Sequence, residues 1–302
     1  TTLFRSILEQ FYQKTQGEIT RSFLSRMITR LESEQSVKEY LDIMDHRKTE
    51  QLIDTLDKVE QNRKECYIRE FSIEHFHDSK VFETLIPKIC KIFREENEEL
   101  TGFENEEILA EYQIYKTPGY VYMKGSVQIY SAGKQAADIS AFPEGIAVAV
   151  GSEEDVPDIC PDQTIDKVFT IENLTSFYRF KQEHSLVIYL GGYHDRSRRN
   201  LLMQIYQKLP DAQYYHFGDL DAGGFYILEH LKRKTGIPFQ MFQMDIETLK
   251  KYEDYAKPLT ENDKKRLMQL EKMELPDEER KLITYMLQKG IKLEQECISE
   301  SQ

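Results

Sequence analysis

The chain is expected to fold as an α/β protein whose second half is a small, largely parallel sheet flanked by helices. From residue 167 onward, strand and helix signals alternate. Apolar runs at 168–171, 186–190 and 213–217 are separated by helical stretches at 174–180, 197–208 and 224–234, and a further strand is expected at 237–241. Ahead of this lies a β-rich stretch between 112 and 151. Ahead of that, the first 65 residues carry only helical periodicity.

Each element has a local cause. Phe4, Ile7, Leu8 and Phe11 mark one helix face, and Phe23, Leu24, Met27, Ile28 and Leu31 mark another, with Gly17 breaking the two apart. Leu52, Ile53, Leu56 and Val59 form a third face. Short helices followed by a strand-like 66–71 fit a winged-helix module and equally a plain helical cap. Asp78 is a candidate N-cap for a helix over 79–94, which the acidic run 95–99 ends. The segments 120–123 and 127–130 flank Lys124-Gly125 as in a hairpin, 146–150 is a compact apolar run, and the acidic, proline-containing 152–166 is a connection. Past Asp245 the chain is helical and heavily charged. The expected organisation is a helical or winged-helix-like region at 1–74, an α+β, hairpin-containing connecting segment at 75–166, and the parallel α/β domain with a helical extension at 167–302.

Composition narrows the function classes. With 40 Lys and Arg against 53 Asp and Glu, the net charge is −13, so nucleic acid is not bound by bulk charge. Contact with phosphate has to come from local cations, metal ions or partner proteins. The first thirty residues lean basic through Arg5, Lys14, Arg21, Arg26 and Arg30, a bias that a solvated helix face also explains. There is no run of 18 apolar residues and no apolar leader, which predicts a cytoplasmic protein without membrane contact. Cys66, Cys90, Cys160 and Cys297 stand far apart with no CxxC pair, which favours isolated thiols over structural zinc.

The most informative stretch is FGDLDAGGF at 217–225. It sets Asp219 and Asp221 two residues apart in a glycine-bounded loop between a strand and a helix. At a strand end, residues i and i+2 point to the same side, and ligands of α/β sheets gather at the carboxyl ends of the strands. Same-side carboxylates repel one another unless a divalent cation sits between them, and oxygen ligands suit Mg²⁺ or Mn²⁺. A solvated Asp/Gly turn is the competing explanation. A third acid, Glu172, ends the first strand of the parallel half on the same edge.

Other groups are weaker signals. His194, Arg196, Arg198 and Arg199 open a helix after Gly191-Gly192, where DNA-backbone contact competes with plain solvation. Lys134 follows Ala132-Gly133 in a turn from which it reaches phosphate, without a full P-loop pattern. His75-x-His77-Asp78 is better explained as a strand end and helix cap than as a metal cluster.

A glutamate after one strand and Asp-x-Asp after a later one resemble the layout of the Toprim superfamily, specifically the branch that includes the DNA-breaking component of topoisomerase VI. HFHDSKVFE (75–83), TIENLTSF (170–177), YLGGY (189–193), GDLDAGGFYILEHLKRKTG (218–236) and LEQE (293–296) are similar to the nuclease subunits of Wadjet anti-plasmid defence systems. This resemblance spans roughly 75–298 and is most specific around Glu172, Asp219 and Asp221. It implies a nuclease that cleaves double-stranded plasmid DNA, as a homodimer, alongside a condensin-like SMC complex. It further implies that Glu172, Asp219 and Asp221 are catalytic and hold Mg²⁺ or Mn²⁺, with Glu296 as a further ligand closing the site. Three alternatives stay open. A topoisomerase-like DNA breaker needs a nucleophilic tyrosine, for which only Tyr12, Tyr40 and Tyr67 stand in the helical region. A non-catalytic Toprim adaptor is the second. The third, a haloacid-dehalogenase-type phosphatase, is disfavoured because two strands and Glu172 precede the Asp-x-Asp and Ala222 follows it.

Overall fold

The computed structural model describes residues 2–101, 103–116, 120–150, 157–191, 194 and 196–298, the side chains of Thr2 and Arg196 excepted. The chain forms two compact units, Thr1–Thr117 and Pro118–Gln302.

The first unit contains α1 (Thr2–Lys14), α2 (Glu18–Glu32), α3 (His46–Gln61), β1 (Cys66–Tyr67), α4 (Ile68–Phe76), α5 (Val81–Glu96), α6 (Asn105–Glu111) and β2 (Ile114–Tyr115). The three apolar stripes face its core. Phe4, Leu8, Phe23, Leu24, Met27, Leu52, Ile53, Leu56 and Val59 are all buried. The start of α2 is stabilised from outside its own sequence, because its N-cap, Gly17, has no side chain to offer. The buried Glu60 of α3 accepts from Ile19 N at 2.7 Å, Thr20 N at 2.9 Å and Thr20 Oγ1 at 2.8 Å. Asp57 accepts from Gly17 N at 2.8 Å. Carboxylates thus occupy the positive end of the helix dipole and satisfy its orphan N–H groups.

Two local expectations change here. The strand expected over 66–71 is confined to Cys66–Tyr67, which pairs in parallel with Ile114–Tyr115. From Ile68 the spacing of buried Ile68, Phe71 and Ser72 is helical, and a helix forms. No antiparallel wing is found among the described residues of this unit, so its architecture is the helical one. Asp78 does not cap the next helix directly. It accepts from Lys80 N at 2.7 Å in the turn before α5 starts at Val81.

The second unit contains β3 (Tyr120–Lys124), β4 (Val127–Ser131), β5 (Lys134–Asp138), β6 (Ile146–Ala149), β7 (Asp158–Pro161), β8 (Lys167–Ile171), α7 (Leu174–Arg179), β9 (Ser185–Tyr189), α8 (Arg196–Lys208), β10 (Gln213–Phe217), α9 (Ala222–Thr235), β11 (Gln240–Met241), α10 (Ile246–Lys251), β12 (Lys257–Pro258), α11 (Glu261–Leu270), α12 (Asp277–Lys289) and β13 (Ile291–Lys292). Its main sheet has the order β11-β10-β8-β9-β3-β6. The first four strands are mutually parallel, while β3 and β6 are antiparallel additions at one side. The fold is therefore mixed α/β, and its parallel strands are the continuous apolar runs of the sequence. Val168, Phe169, Ile171, Leu186, Val187 and Ile188 are buried, as expected for strands covered on both faces.

The hairpin expected around Lys124-Gly125 does not form. β3 joins the main sheet, and β4 leads into a separate three-stranded sheet of order β5-β4-β7. Gly125, at φ +136°, makes the change of sheet, and a Cβ there would stand 2.5 Å from the Ser185 carbonyl oxygen. The hairpin of this region is β4–β5. Its two-residue loop, Ala132-Gly133, has φ of +49° and +75°, the sign that a tight hairpin requires. The expected connection 152–166 contains β7, which pairs with β4; residues 151–156 lie outside the described residues.

Replacing Glu60 with Ala removes three hydrogen bonds at the α2 N-terminus. The expected loss is about 2 kcal/mol of stability in urea unfolding. A loss below about 0.5 kcal/mol, the range of ordinary surface substitutions, would contradict this account of α2.

Candidate functional site

The site is made by strand register. β8 and β10 run side by side with Thr170 opposite His216 and Ile171 opposite Phe217. One further bond, Glu172 N to Phe217 O at 3.1 Å, carries the pairing past the strand ends. Glu172 and the 218–221 loop therefore leave the sheet at the same edge, and Asp219 N points to Glu172 Oε2 at 3.4 Å. Close approach depends on absent side chains. A Cβ at Gly218 would stand 2.6 Å from Glu172 Oε2 and 2.8 Å from His216 Nε2, and one at Gly224 would overlap the Asp219 carbonyl oxygen. Asp221 caps α9, its Oδ1 accepting from Gly224 N at 2.9 Å.

The chain returns to this edge through its C-terminal residues. β13 pairs with β12, and Leu293 then bridges Leu220 through two backbone bonds of 2.9 and 3.1 Å. The fully buried Gln295 follows. Its N–H donates to Asp219 Oδ1 at 2.7 Å, its Nε2 donates to Phe217 O at 3.0 Å, and its Oε1 accepts from Asn173 N at 2.8 Å. Asn173 Nδ2 donates to Glu296 Oε1 at 2.5 Å, and Glu294 pairs with Lys257 at 2.5 Å.

Burial pushes the Asp219 carboxyl up to about 6. The Gln295 N–H works against that shift, while the carboxylates of Asp221, Glu296 and Glu294 add to it. Asp219 thus bears the repulsion of a crowded acidic edge. Among the described residues, no three His, Cys, Asp or Glu side chains are already gathered as a metal cluster. What the edge offers is hard oxygen donors whose excess negative charge a divalent cation offsets. In donor chemistry and charge, Glu172, Asp219, Asp221 and Glu296 fit Mg²⁺ or Mn²⁺.

The four cations expected to contact phosphate fall in two places, Lys134 at the start of β5 and Arg196, Arg198 and Arg199 on α8. Lys134 is exposed at the start of β5, in the three-stranded sheet. Arg198 is half-buried and its Nη2 donates to Tyr120 O at 3.4 Å. Arg199 is a correction to the expected phosphate contacts. It is 7% exposed and its Nη1 donates to the His194 carbonyl at 2.8 Å, so its guanidinium is turned into the protein. Arg196 opens α8, and its side chain lies outside the described residues. Of the tyrosine candidates, Tyr40 is buried, with its hydroxyl donating to Glu95 at 2.7 Å.

Sequence reasoning missed Gln295, Asn173 and His216. His216 is fully buried beneath Gly218, with Nδ1 3.0 Å from Thr170 Oγ1, and burial lowers its pKa to about 3, so it is neutral. The available signal for Gln295 was the alternation in LEQE, where buried Leu293 and Gln295 are interleaved with Glu294 and Glu296.

Fold and site together define a mixed α/β protein with an acid-lined edge at the carboxyl ends of its parallel strands. Residues 155–302 match the family model described as the C-terminal part of Wadjet protein JetD. The chain is also 28% identical over 263 residues to the Wadjet protein JetD of Bacillus cereus (strain Q1), an alignment covering 85% of this chain and 63% of that protein. By these two likenesses the chain is JetD-like.

Packing at the edge is testable through its glycines. Gly224→Ala forces a methyl group onto the Asp219 backbone and is expected to cost about 1–3 kcal/mol by thermal or urea unfolding. Gly223→Ala meets only the Asp221 side chain, at 3.1 Å, and should cost clearly less. Equal effects of the two would contradict the close packing of α9 on the loop.

Asp219 also makes stability pH-dependent. Its pKa rises from 3.8 to about 6 on folding, so its contribution is complete below the lower value and is lost as pH rises through the upper one. Metal-free protein should therefore lose more melting temperature between pH 5 and 7 than the Asp219→Asn variant loses. Parallel pH profiles for the two would contradict the burial of this charge.

Proposed function

We propose that the chain is a divalent-metal-dependent endodeoxyribonuclease of the Toprim type. In this reading it is the DNA-cutting subunit of a Wadjet-like defence assembly that acts on plasmid DNA with a condensin-like SMC complex. The JetD likeness supports the assignment to a Wadjet-like system. Because the chain spans 63% of the relative's length, activity, substrate and partners belong to the proposal. The observation that carries it is that Glu172 and the loop bearing Asp219 and Asp221 leave the sheet at adjoining parallel strand ends, with Asp219 crowded by carboxylates.

In this reading Glu172, Asp219 and Asp221 hold one or two Mg²⁺ or Mn²⁺ ions, with Glu296 at the rim. Bound ions supply the positive charge that an in-line phosphodiester displacement needs at its attacking and leaving oxygens. The protein's own groups set the geometry. The Gln295 N–H orients the Asp219 carboxylate, and the α9 N-terminus orients Asp221 through Gly224 N. The alternative role for Glu172, in place of metal binding, is to accept a proton from water or to return one to the leaving oxygen. One such centre cuts one strand, so double-strand cleavage calls for two copies of the chain.

A topoisomerase-like covalent mechanism is the second reading. The burial of Tyr40 against Glu95 counts against one of its three candidate nucleophiles.

The test is cleavage of supercoiled plasmid in Mn²⁺ or Mg²⁺, with the SMC-type partner complex supplied in a parallel arm. Wild type should give linear DNA with free ends. Asp219→Ala and Glu172→Ala should each slow cutting more than about 100-fold, beyond the cost of an outer-shell residue. DNA ends blocked by covalent protein would favour the topoisomerase reading. Undiminished cutting by Asp219→Ala, or neither cleavage nor metal binding by the wild type, would sink the nuclease.

A further inference from the structure

The acidic edge is assembled from three separate stretches of chain, and one uncharged side chain joins them. Gln295 is completely buried, and each of its polar groups has a different target. Its main-chain N–H reaches the Asp219 carboxylate in the loop after β10. Its Nε2 reaches the carbonyl of Phe217, the last residue of β10. Its Oε1 takes the N–H of Asn173, directly after Glu172. The side-chain amide therefore bridges the segments that carry Glu172 and Asp219, and the main chain aims the Asp219 carboxylate. No charged or shorter residue reproduces this pattern. A carboxylate would meet the Phe217 carbonyl without a donor, and an aliphatic side chain would leave Asn173 N and Phe217 O unpaired. Each unpaired buried group costs free energy, so the loops would move to find water.

We propose that Gln295 is a positioning residue of the metal site. On this view the C-terminal strap is part of the site's construction: residues 293–296 set the separation and direction of the acids on two other segments. The inference rests on the divalent-metal reading above for its functional consequence, and on the three hydrogen bonds for its geometric one. Glu294 offers an internal comparison. It lies on the same strap but pairs with Lys257, and it acts on Asp219 through charge and not through a hydrogen bond.

Gln295→Met keeps the approximate length and volume while removing both polar reaches. Lys257→Ala loosens the same strap without touching those loops. Both are compared with wild type by Mn²⁺ titration, reading free Mn²⁺ by electron paramagnetic resonance, and by amide hydrogen exchange of the metal-free proteins, under conditions where circular dichroism shows each folded. Gln295→Met should weaken Mn²⁺ binding about 10- to 100-fold, the range of outer-shell support in metal sites. It should also raise exchange at both 172–173 and 217–221. Lys257→Ala, which removes a cation from the acidic strap, should not weaken binding and should leave those loops protected.

Wild-type affinity in folded Gln295→Met, or equal weakening in both variants, would overturn the inference. If wild type binds no Mn²⁺, the metal reading fails, and hydrogen exchange alone then decides whether Gln295 fixes the two loops. Unchanged protection in Gln295→Met would remove that role as well.

Discussion

The site depends first on the pairing of two parallel strands. Register between β8 and β10 is fixed by the buried apolar faces of both strands, and a slip by one residue would turn Phe169, Ile171 and Phe217 away from their core. That register, extended by the Glu172 N to Phe217 O bond, is what places an acid from one strand beside an Asp-x-Asp loop from the next. Burial of hydrophobic side chains thus determines where the carboxylates meet, and the carboxylates contribute little to that placement themselves.

What they add is tension. Asp219 sits where burial and three neighbouring acids oppose its ionisation, and only the Gln295 N–H among the named partners relieves it. A folded protein that crowds like charges at the carboxyl edge of a sheet is electrostatically prepared for a cation. The glycines complete the arrangement. Gly218 leaves space between His216 and Glu172, and Gly224 lets α9 start directly against the Asp219 backbone. Neither glycine has a positive φ, so each is required by proximity and neither by backbone conformation.

Much of this was legible in the sequence where the controlling forces are local. The parallel strands show as continuous apolar runs and the loop as Asp-x-Asp between glycines, while α9, expected from Gly224, begins two residues earlier at Ala222 because Asp221 caps it. Where pairing is long-range, the sequence misleads. β3 and β4 look like two arms of one hairpin, yet each finds a different sheet, because the partners that decide this, β9 for one and β7 for the other, lie far along the chain. The strand at Asp158–Pro161 hid within an acidic, proline-bearing stretch. Arg199 looked like a surface cation because nothing local shows that its guanidinium turns to the His194 carbonyl. Gln295 escaped notice because its two glutamate neighbours carry the charge while it makes the contacts.

The most direct test of the central claim, that acids from two adjoining strand ends form one divalent-ion site, is crystallographic. Crystals grown or soaked in Mn²⁺ would be measured at a wavelength where manganese scatters anomalously. The expected result is a peak at roughly 2.0–2.6 Å from oxygens of Asp219 and of at least one of Glu172 and Asp221, the ligand range of Mg²⁺- and Ca²⁺-type oxygen sites. Manganese bound elsewhere, with the edge acids still held only by protein hydrogen bonds, would contradict it.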